Sequence, residues 1–213
     1  MSGLFITFEG TEGSGKSTQI ALLAERLRAT GRTVRTLREP GGTPIGEEIR
    51  HTLKHSNANH NMAAETELLL MNASRAQLVR EIIQPALAAG EIVLCDRFFD
   101  STIVYQGYGR GLDMDIVKQI ISCAIGALAP DLTLLLMVPL LVSEERRLLR
   151  AGAVPQRDRI EEAGRAFFER VEQGYMKIAA AEPQRIHVFQ AVAPVETVHE
   201  AIWEAVKMLL QTR

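Results

Sequence analysis

Short runs of apolar residues alternate along this chain with longer stretches in which apolar positions recur at helical spacing. The runs Leu4–Phe8, Thr33–Leu37, Ile92–Cys95, Leu132–Val138 and Ile186–Phe189 each predict a strand. Helices are predicted over Ser17–Thr30, Ile45–Leu53, Ala64–Ala89, Met114–Leu128, Leu140–Ala151, Ala163–Ala181 and Val195–Leu210. Continuously apolar strands imply burial on both faces, and helices between successive strands make the sheet parallel. The pattern therefore predicts an α/β chain, a parallel five-stranded sheet with helices on both faces. Pro85, late in the third helical stretch, should kink or restart that helix. Pro130 and Pro139 flank a strand, where proline is tolerated.

Composition narrows this reading without redirecting it. The 213 residues, 46% hydrophobic and 23% charged, suit one globular domain over 1–213 with a sizeable core. A net charge of −2 supplies no global attraction to nucleic acid or to a membrane surface, and neither is expected as a partner. Cys95 and Cys123 are too few for a disulfide framework, and both lie in mainly apolar stretches that predict buried thiols. Residues 1–9 lack a basic segment followed by an apolar run of signal length, and no segment approaches the roughly 18 apolar residues of a membrane span. The expectation is a reduced, cytoplasmic protein. His51 and His55 stand four apart but in polar surroundings, which predicts surface placement, not metal ligation.

The most specific chemistry follows the first predicted strand. Gly10, Gly15, Lys16 and Ser17 fit G-x-x-x-x-G-K-S/T, with a strand before and a helix after, the context of a phosphate-binding P-loop. Glycines let backbone N–H groups curl around a phosphate, and the helix N-terminus adds partial positive charge. Gly10, Thr11, Glu12, Gly13, Ser14, Gly15, Lys16, Ser17 and Thr18 form the expected ATP-binding stretch. Lys16 should reach the β- and γ-phosphates, and the Ser17 hydroxyl should ligate Mg²⁺. Asp96, ending the third predicted strand, is the second candidate metal ligand. In an open parallel sheet ligands gather at the carboxyl ends of strands, so Arg97 should face the same crevice. A guanidinium fork there suits an acceptor phosphate.

From Asp96 onward the chain resembles a known family. Asp96-Arg97-Phe98-Phe99-Asp100-Ser101-Thr102-Ile103-Val104-Tyr105-Gln106 is similar to the D-R-F/Y/H-x-x-S-x-x-A-Y-Q signature of thymidylate kinases, the bacterial type among them. Arg38-Glu39-Pro40-Gly41-Gly42-Thr43 resembles their R-E-P-G-G-T turn, and Gln106 to Gly111 their Q-G-x-G-R-G segment. Arg75-Ala76-Gln77 resembles a helical R-x-Q, and Asp158-Arg159-Ile160-Glu161 the D-R-I/F-E that closes their lid. These matches run in family order from Phe5 to about Tyr175.

The resemblance implies ATP-dependent phosphorylation of dTMP to dTDP in dTTP synthesis, with Mg²⁺ as cofactor, a P-loop kinase fold with a short basic lid at about 146–160, and a homodimer. It places Glu12 near the sugar 3′-hydroxyl and the metal's water shell, and Arg97 on the acceptor 5′-phosphate. Arg75 would donate to the thymine O4, Thr102 would bond the ring N3 edge, and Tyr105 would crowd the sugar 2′ position. Glu39, Pro40, Ser101 and Gln106 complete the implied dTMP-binding set. In the bacterial subtype the lid supplies the catalytic arginine. Here Arg146, Arg147, Arg150, Arg157 and Arg159 surround a Gly- and Pro-containing segment, with Arg150, Arg157 and Arg159 the candidates.

The chain also departs from the family pattern. Met71 stands where an aromatic residue usually stacks on thymine. Met137 replaces the aspartate of an L-D-V strand, and Val104 replaces an alanine. Three other readings are weighed against this one. One is a kinase for a different small acceptor. Another is a GTPase switch, which would need N-K-x-D and D-x-x-G motifs that this sequence does not contain. The third is a P-loop ATPase acting on protein partners, which would normally need more surface or length than 213 residues offer.

Overall fold

The computed structural model describes residues 3–56, 59–151, 159–160 and 163–211. Five strands form one parallel sheet: β1 (Leu4–Glu9), β2 (Val34–Arg38), β3 (Ile92–Asp96), β4 (Leu132–Met137) and β5 (Ile186–Gln190), in the order β2-β3-β1-β4-β5. The helices are α1 (Lys16–Ala29), α2 (Pro44–Lys54), α3 (Ala64–Leu78), α4 (Gln84–Ala88), α5 (Phe99–Thr102), α6 (Met114–Ile125), α7 (Leu140–Ala151), α8 (Arg165–Ala181) and α9 (Val195–Gln211).

Side chains alternate across a strand, so each strand feeds two cores. Leu4, Ile6 and Phe8 of β1 join Ile92 and Leu94 of β3 and Leu132, Leu134 and Leu136 of β4 under α1 and α9. On the other face Phe5, Val93 and Cys95 pack under α3 and α6, and Leu135 and Met137 pack under α8. β1 and β4 are buried throughout and β3 nearly so. The edge strands β2 and β5 correct the expectation of two-sided burial, since each is mostly open to solvent. Cys123 is a second correction: it is exposed on α6, whereas Cys95 is buried as expected. An i, i+4 helical stripe buries Val117, Ile121 and Ile125 and turns position 123 outward.

The long third helical stretch is interrupted where Pro85 requires it. Residues Val79–Ile83 form a wide π-helical turn, and the Gln84 N–H reaches back to the Val79 carbonyl before Pro85 starts α4. A proline lacks the N–H of the regular ladder and its ring crowds the preceding turn, which the wider turn relieves. A second π-helical turn, Ile103–Gly109, continues α5. This helical unit was not foreseen from periodicity. Its glycines weaken a helical pattern, and at Gly109 any side chain would run into the Phe167 ring of α8 at 2.6 Å. Among the described residues, no helix is long and apolar enough to cross a membrane.

Candidate active site

The carboxyl ends of β1, β3 and β2 open into a cavity of about 670 Å³. One wall is the loop between β1 and α1. At Gly10 the backbone has φ 131° and a side chain would collide with the Leu136 carbonyl, so only glycine lets the chain turn here. Lys16, the first residue of α1, is buried and folds its ammonium over this loop. Nζ donates to the carbonyls of Gly10 (3.1 Å) and Thr11 (2.8 Å) and lies 3.5 Å from Ser14 Oγ. Burial, reinforced by the nearby Arg97 charge, lowers the Lys16 pKa to about 8. Gly13, Gly15, Ser17 and Thr18 line the cavity beside Lys16, while Gly10, Thr11 and Ser14 shape the loop behind it.

Arg97 lines the same cavity from the turn after β3. It follows β3 with φ 71°, a left-handed conformation rare for a side-chain-bearing residue, and this turn aims the guanidinium into the cavity. Nη1 donates to Ser101 Oγ (3.0 Å) and Tyr175 Oη (3.3 Å), and Nη2 reaches Glu12 Oε1 at 3.3 Å. Burial opposes the Glu12 charge, but Arg97, Lys16 and Lys54 outweigh it and draw the carboxyl down to about 2. Ser17 Oγ donates to Asp96 Oδ2 at 3.2 Å, so the two candidate metal ligands are neighbours on the cavity wall. Among the described residues, no cluster of three or more His, Cys, Asp or Glu could hold a metal ion.

The far end is built by α3, α5 and the Glu39-Pro40 turn. Arg75 is 2% exposed and every nitrogen of its guanidinium is engaged within the protein. Nε donates to Glu39 Oε2 (2.9 Å), Nη1 to Asn72 Oδ1 and Thr102 Oγ1 (2.9 Å each), and Nη2 to the Phe98 carbonyl (3.1 Å) and, in the ion pair, Glu39 (2.7 Å). The expected donor to a base thus serves first to tie β2, α3 and α5 together. Burial raises the Glu39 pKa against the pull of Arg75, and its Oε1 has no hydrogen-bond partner among the described residues. Met71 is half-buried and lines the cavity instead of joining a core. Ser101, Thr102, Tyr105 and Gln106 line it from the helical unit after Arg97.

The lid residues divide. Arg157 and Asp158 lie outside the described residues, as do Glu161 and the side chains of Arg147 and Arg150. Arg146 donates to the Ala191 carbonyl at 2.9 Å. Arg159, one of the arginines expected on phosphates, instead pairs with buried Glu67 and donates to the Met62 carbonyl. Glu67 also takes Gln106 Nε2 (2.7 Å) and Arg110 Nη2 (2.9 Å), so a fully buried carboxylate draws cations and amides toward α3. Met137 has a physical account too: it is buried with Val104, Tyr105 and Phe167, where an aspartate would lie in an apolar cluster.

Sequence reasoning missed several wall residues. Arg50, Lys54, Ile160 and Phe168 line the cavity, and Tyr175 and Glu9 stand behind Arg97. Arg50 and Lys54, four apart on α2, carried a one-face signal; Glu9 was hidden as the last residue of an apolar strand.

A family model for thymidylate kinase matches residues 8–202. The chain belongs to the thymidylate kinase family. It is 49% identical over 205 residues to the thymidylate kinase of Syntrophotalea carbinolica, covering 93% of both chains. It is 50% identical over 202 residues to that of Pseudomonas entomophila, covering 95% of this chain and 94% of the relative. Its fold matches the crystal structure of thymidylate kinase from Ehrlichia chaffeensis with a TM-score of 0.77 and 34% identity, over 97% of this chain and 99% of that one. As a thymidylate kinase it is a nucleoside monophosphate kinase that uses ATP to convert dTMP to dTDP in dTTP synthesis.

Proposed function

We propose that this cavity carries out the transfer, with the γ-phosphoryl group of ATP passing in line to the 5′-phosphate of dTMP between Lys16 and Arg97. The observation that supports this reading is that both cations line one cavity, which Glu12, paired with Arg97, lines as well. The acceptor is already a phosphate oxyanion, so no strong general base is required. Catalysis is then positioning plus stabilisation of charge in a loose transfer. Lys16 and the loop amides hold the donor phosphates, and Arg97 aligns the attacking one. Ser17 and Asp96 offer hard oxygen donors, and two protein oxygens suit Mg²⁺, which keeps most of its waters. When bound there, Mg²⁺ offsets charge on the β- and γ-phosphate oxygens.

Thr102 and Arg75 are assigned to the base edge, Arg75 reaching it by exchanging one of the bonds that hold it in the free protein, with Glu39, Pro40, Ser101 and Gln106 completing that end. Arg150 and Arg157 are the lid arginines assigned to the phosphates, and Arg159 anchors the lid to Glu67. Lid closure excludes water, which would otherwise take the phosphoryl group. The chain acts as a single kinase domain over 1–213 with its lid at about 146–160. It works in the cytoplasm as a homodimer. Leu69 on α3 and Ile116 on α6, helices that pack side by side, are each more than half exposed and favour such an interface.

The test is a phosphoryl-transfer assay over a panel of nucleoside monophosphates with ATP and Mg²⁺. dTMP should be the best acceptor by a wide margin, and its ribose counterpart much poorer because Tyr105 crowds the 2′ position. Tyr105→Ala should narrow the gap between the sugars. Faster use of a different base, or equal use of both sugars by the unaltered chain, defeats the assignment.

Met71 provides a sharper test of the base end. An aromatic ring stacked on a base contributes about 1–3 kcal/mol. A methionine sulfur against a ring contributes about 0.3–1.5 kcal/mol. Met71→Phe should therefore tighten dTMP several-fold with little change in ATP affinity, since about 1.4 kcal/mol is tenfold. Met71→Ala should weaken dTMP selectively. Small, equal effects of both variants on the two substrates would remove Met71 from the base site.

A further inference from the structure

Glu9, the last residue of β1, is fully buried on the face that carries α5 and α8. Its two oxygens have divided work. Oε1 accepts two backbone amides, Phe98 N (2.8 Å) and Ser101 N (3.3 Å), and so holds the start of α5 immediately after the left-handed turn at Arg97. Oε2 accepts two hydroxyls, Ser101 Oγ (2.6 Å) and Tyr175 Oη (2.9 Å). Those same two hydroxyl oxygens accept from Arg97 Nη1 at 3.0 and 3.3 Å.

A hydroxyl has one proton, and its oxygen can face a guanidinium only if that proton points elsewhere. An ionised carboxylate has no proton of its own and takes both. We infer that Glu9 is a positioning residue for the acceptor phosphate: by accepting the Ser101 and Tyr175 protons it turns both oxygens toward Arg97 and fixes the guanidinium that the phosphate meets. The inference rests on the proposed assignment of Arg97 to the acceptor phosphate.

The surroundings set when Glu9 can do this. Burial, then the charge of Asp100, raise its pKa to about 7, while Arg97, Ser101 and the Phe98 amide pull it down. The other ionisable neighbours are Lys16 from α1, Cys95 from β3, Tyr105 from the π-helical turn and Tyr175 from α8. Asp100 is itself paired with Arg185, which limits its repulsion. Above this pKa both hydroxyl protons rest on Glu9. Below it the carboxyl carries a proton that one of the hydroxyls must accept, and that hydroxyl's own proton leaves Glu9 for the other hydroxyl, 3.2 Å away, or for the side facing Arg97, so the pair no longer presents both oxygens in the same fixed way.

Glu9→Gln isolates the effect. The amide oxygen can keep both backbone N–H groups, but an NH₂ now stands where two hydroxyls donated. The Michaelis constant for dTMP should rise by about tenfold or more at about pH 8, with that for ATP little changed. The ratio of the variant's constant to the wild-type value should close toward one at about pH 6, where wild-type Glu9 is protonated as well. Because dTMP ionises identically for both proteins, the ratio removes the substrate's own titration. Tyr175→Phe, which leaves the Glu9 amide contacts in place, should also raise the dTMP constant, and Glu9→Gln should cost less in that background. A ratio near one at every pH, or one that is raised but independent of pH, overturns the inference. Arg97→Ala separates the two layers. If it leaves dTMP binding intact, the acceptor-site reading itself fails. If it weakens dTMP while Glu9→Gln does not, only the role of Glu9 falls.

Discussion

Lys16→Ala should lower turnover by about 10²–10³-fold or more while leaving the fold intact, because it removes the buried cation to which the proposal assigns the donor phosphates. The stability side of this expectation follows from the direction of the Lys16 shift. Its pKa falls from 10.5 to about 8 on folding, so the unfolded chain binds the proton more tightly. Stability contributed through Lys16 therefore rises as pH climbs from about 8 toward 10.5, and at neutral pH the charged side chain is a net burden on the free protein. Lys16→Ala should then unfold no earlier than the unaltered chain at pH 7, even though three contacts of Nζ are lost. Turnover with ATP and dTMP, alongside thermal unfolding in the absence of nucleotide, checks both halves. Near-normal turnover would remove the phosphate loop from the mechanism. A large loss of stability would mean that Lys16 holds the loop together instead of waiting for phosphate.

Arg185→Ala should produce the largest loss of stability, about 3–5 kcal/mol in urea unfolding, because it leaves the Asp100 carboxylate buried without a counter-charge. Asp100 is inaccessible to solvent and takes both ends of the Arg185 fork, Nη1 at 2.6 Å and Nη2 at 2.8 Å. Thr133 Oγ1 adds a bond to the same carboxylate at 3.2 Å, and Arg185 also stacks over Phe99. This pair joins the residue before β5 to α5, the helix that follows Arg97. Asp100→Asn with Arg185→Met should recover part of the loss, since neither charge is then left alone. A single variant within about 1 kcal/mol of the parent would mean that water reaches Asp100 and that the pair is no more than a surface bridge.

The helices of this protein differ in how readily their patterns reveal them. α2, α6, α7 and α9 carry strong one-sided apolar stripes, and their bounds fall within a residue or three of the sequence expectation. The α5 unit is different. Its glycines weaken the pattern, and it exists because Phe167 and Tyr175 of α8 pack closely against it and Glu9 holds its first amides. Those stabilising groups come from residues far outside this stretch of the chain, so no local window contains them. The edge strands present the reverse case. Thr33–Leu37 reads as a strand from the sequence, but which strands are central depends on pairing order, and an edge position leaves one side to solvent.

By itself the sequence determined the phosphate loop, the parallel sheet and the family, because each rests on short-range spacing: a glycine-framed turn, apolar runs of strand length, and signatures carried in order along the chain. Only the tertiary structure decided how charges are shared. It committed the donors of Arg75 to Glu39, Asn72, Thr102 and Phe98, and drew Arg159 onto Glu67. It also placed Glu9 behind Arg97 through Ser101 and Tyr175. The physical reason is that a buried charge must find partners wherever the fold brings them, and those partners are set by packing across elements. A motif names the residue type at a position; which of its hydrogen bonds remain for a substrate depends on neighbours far away along the chain.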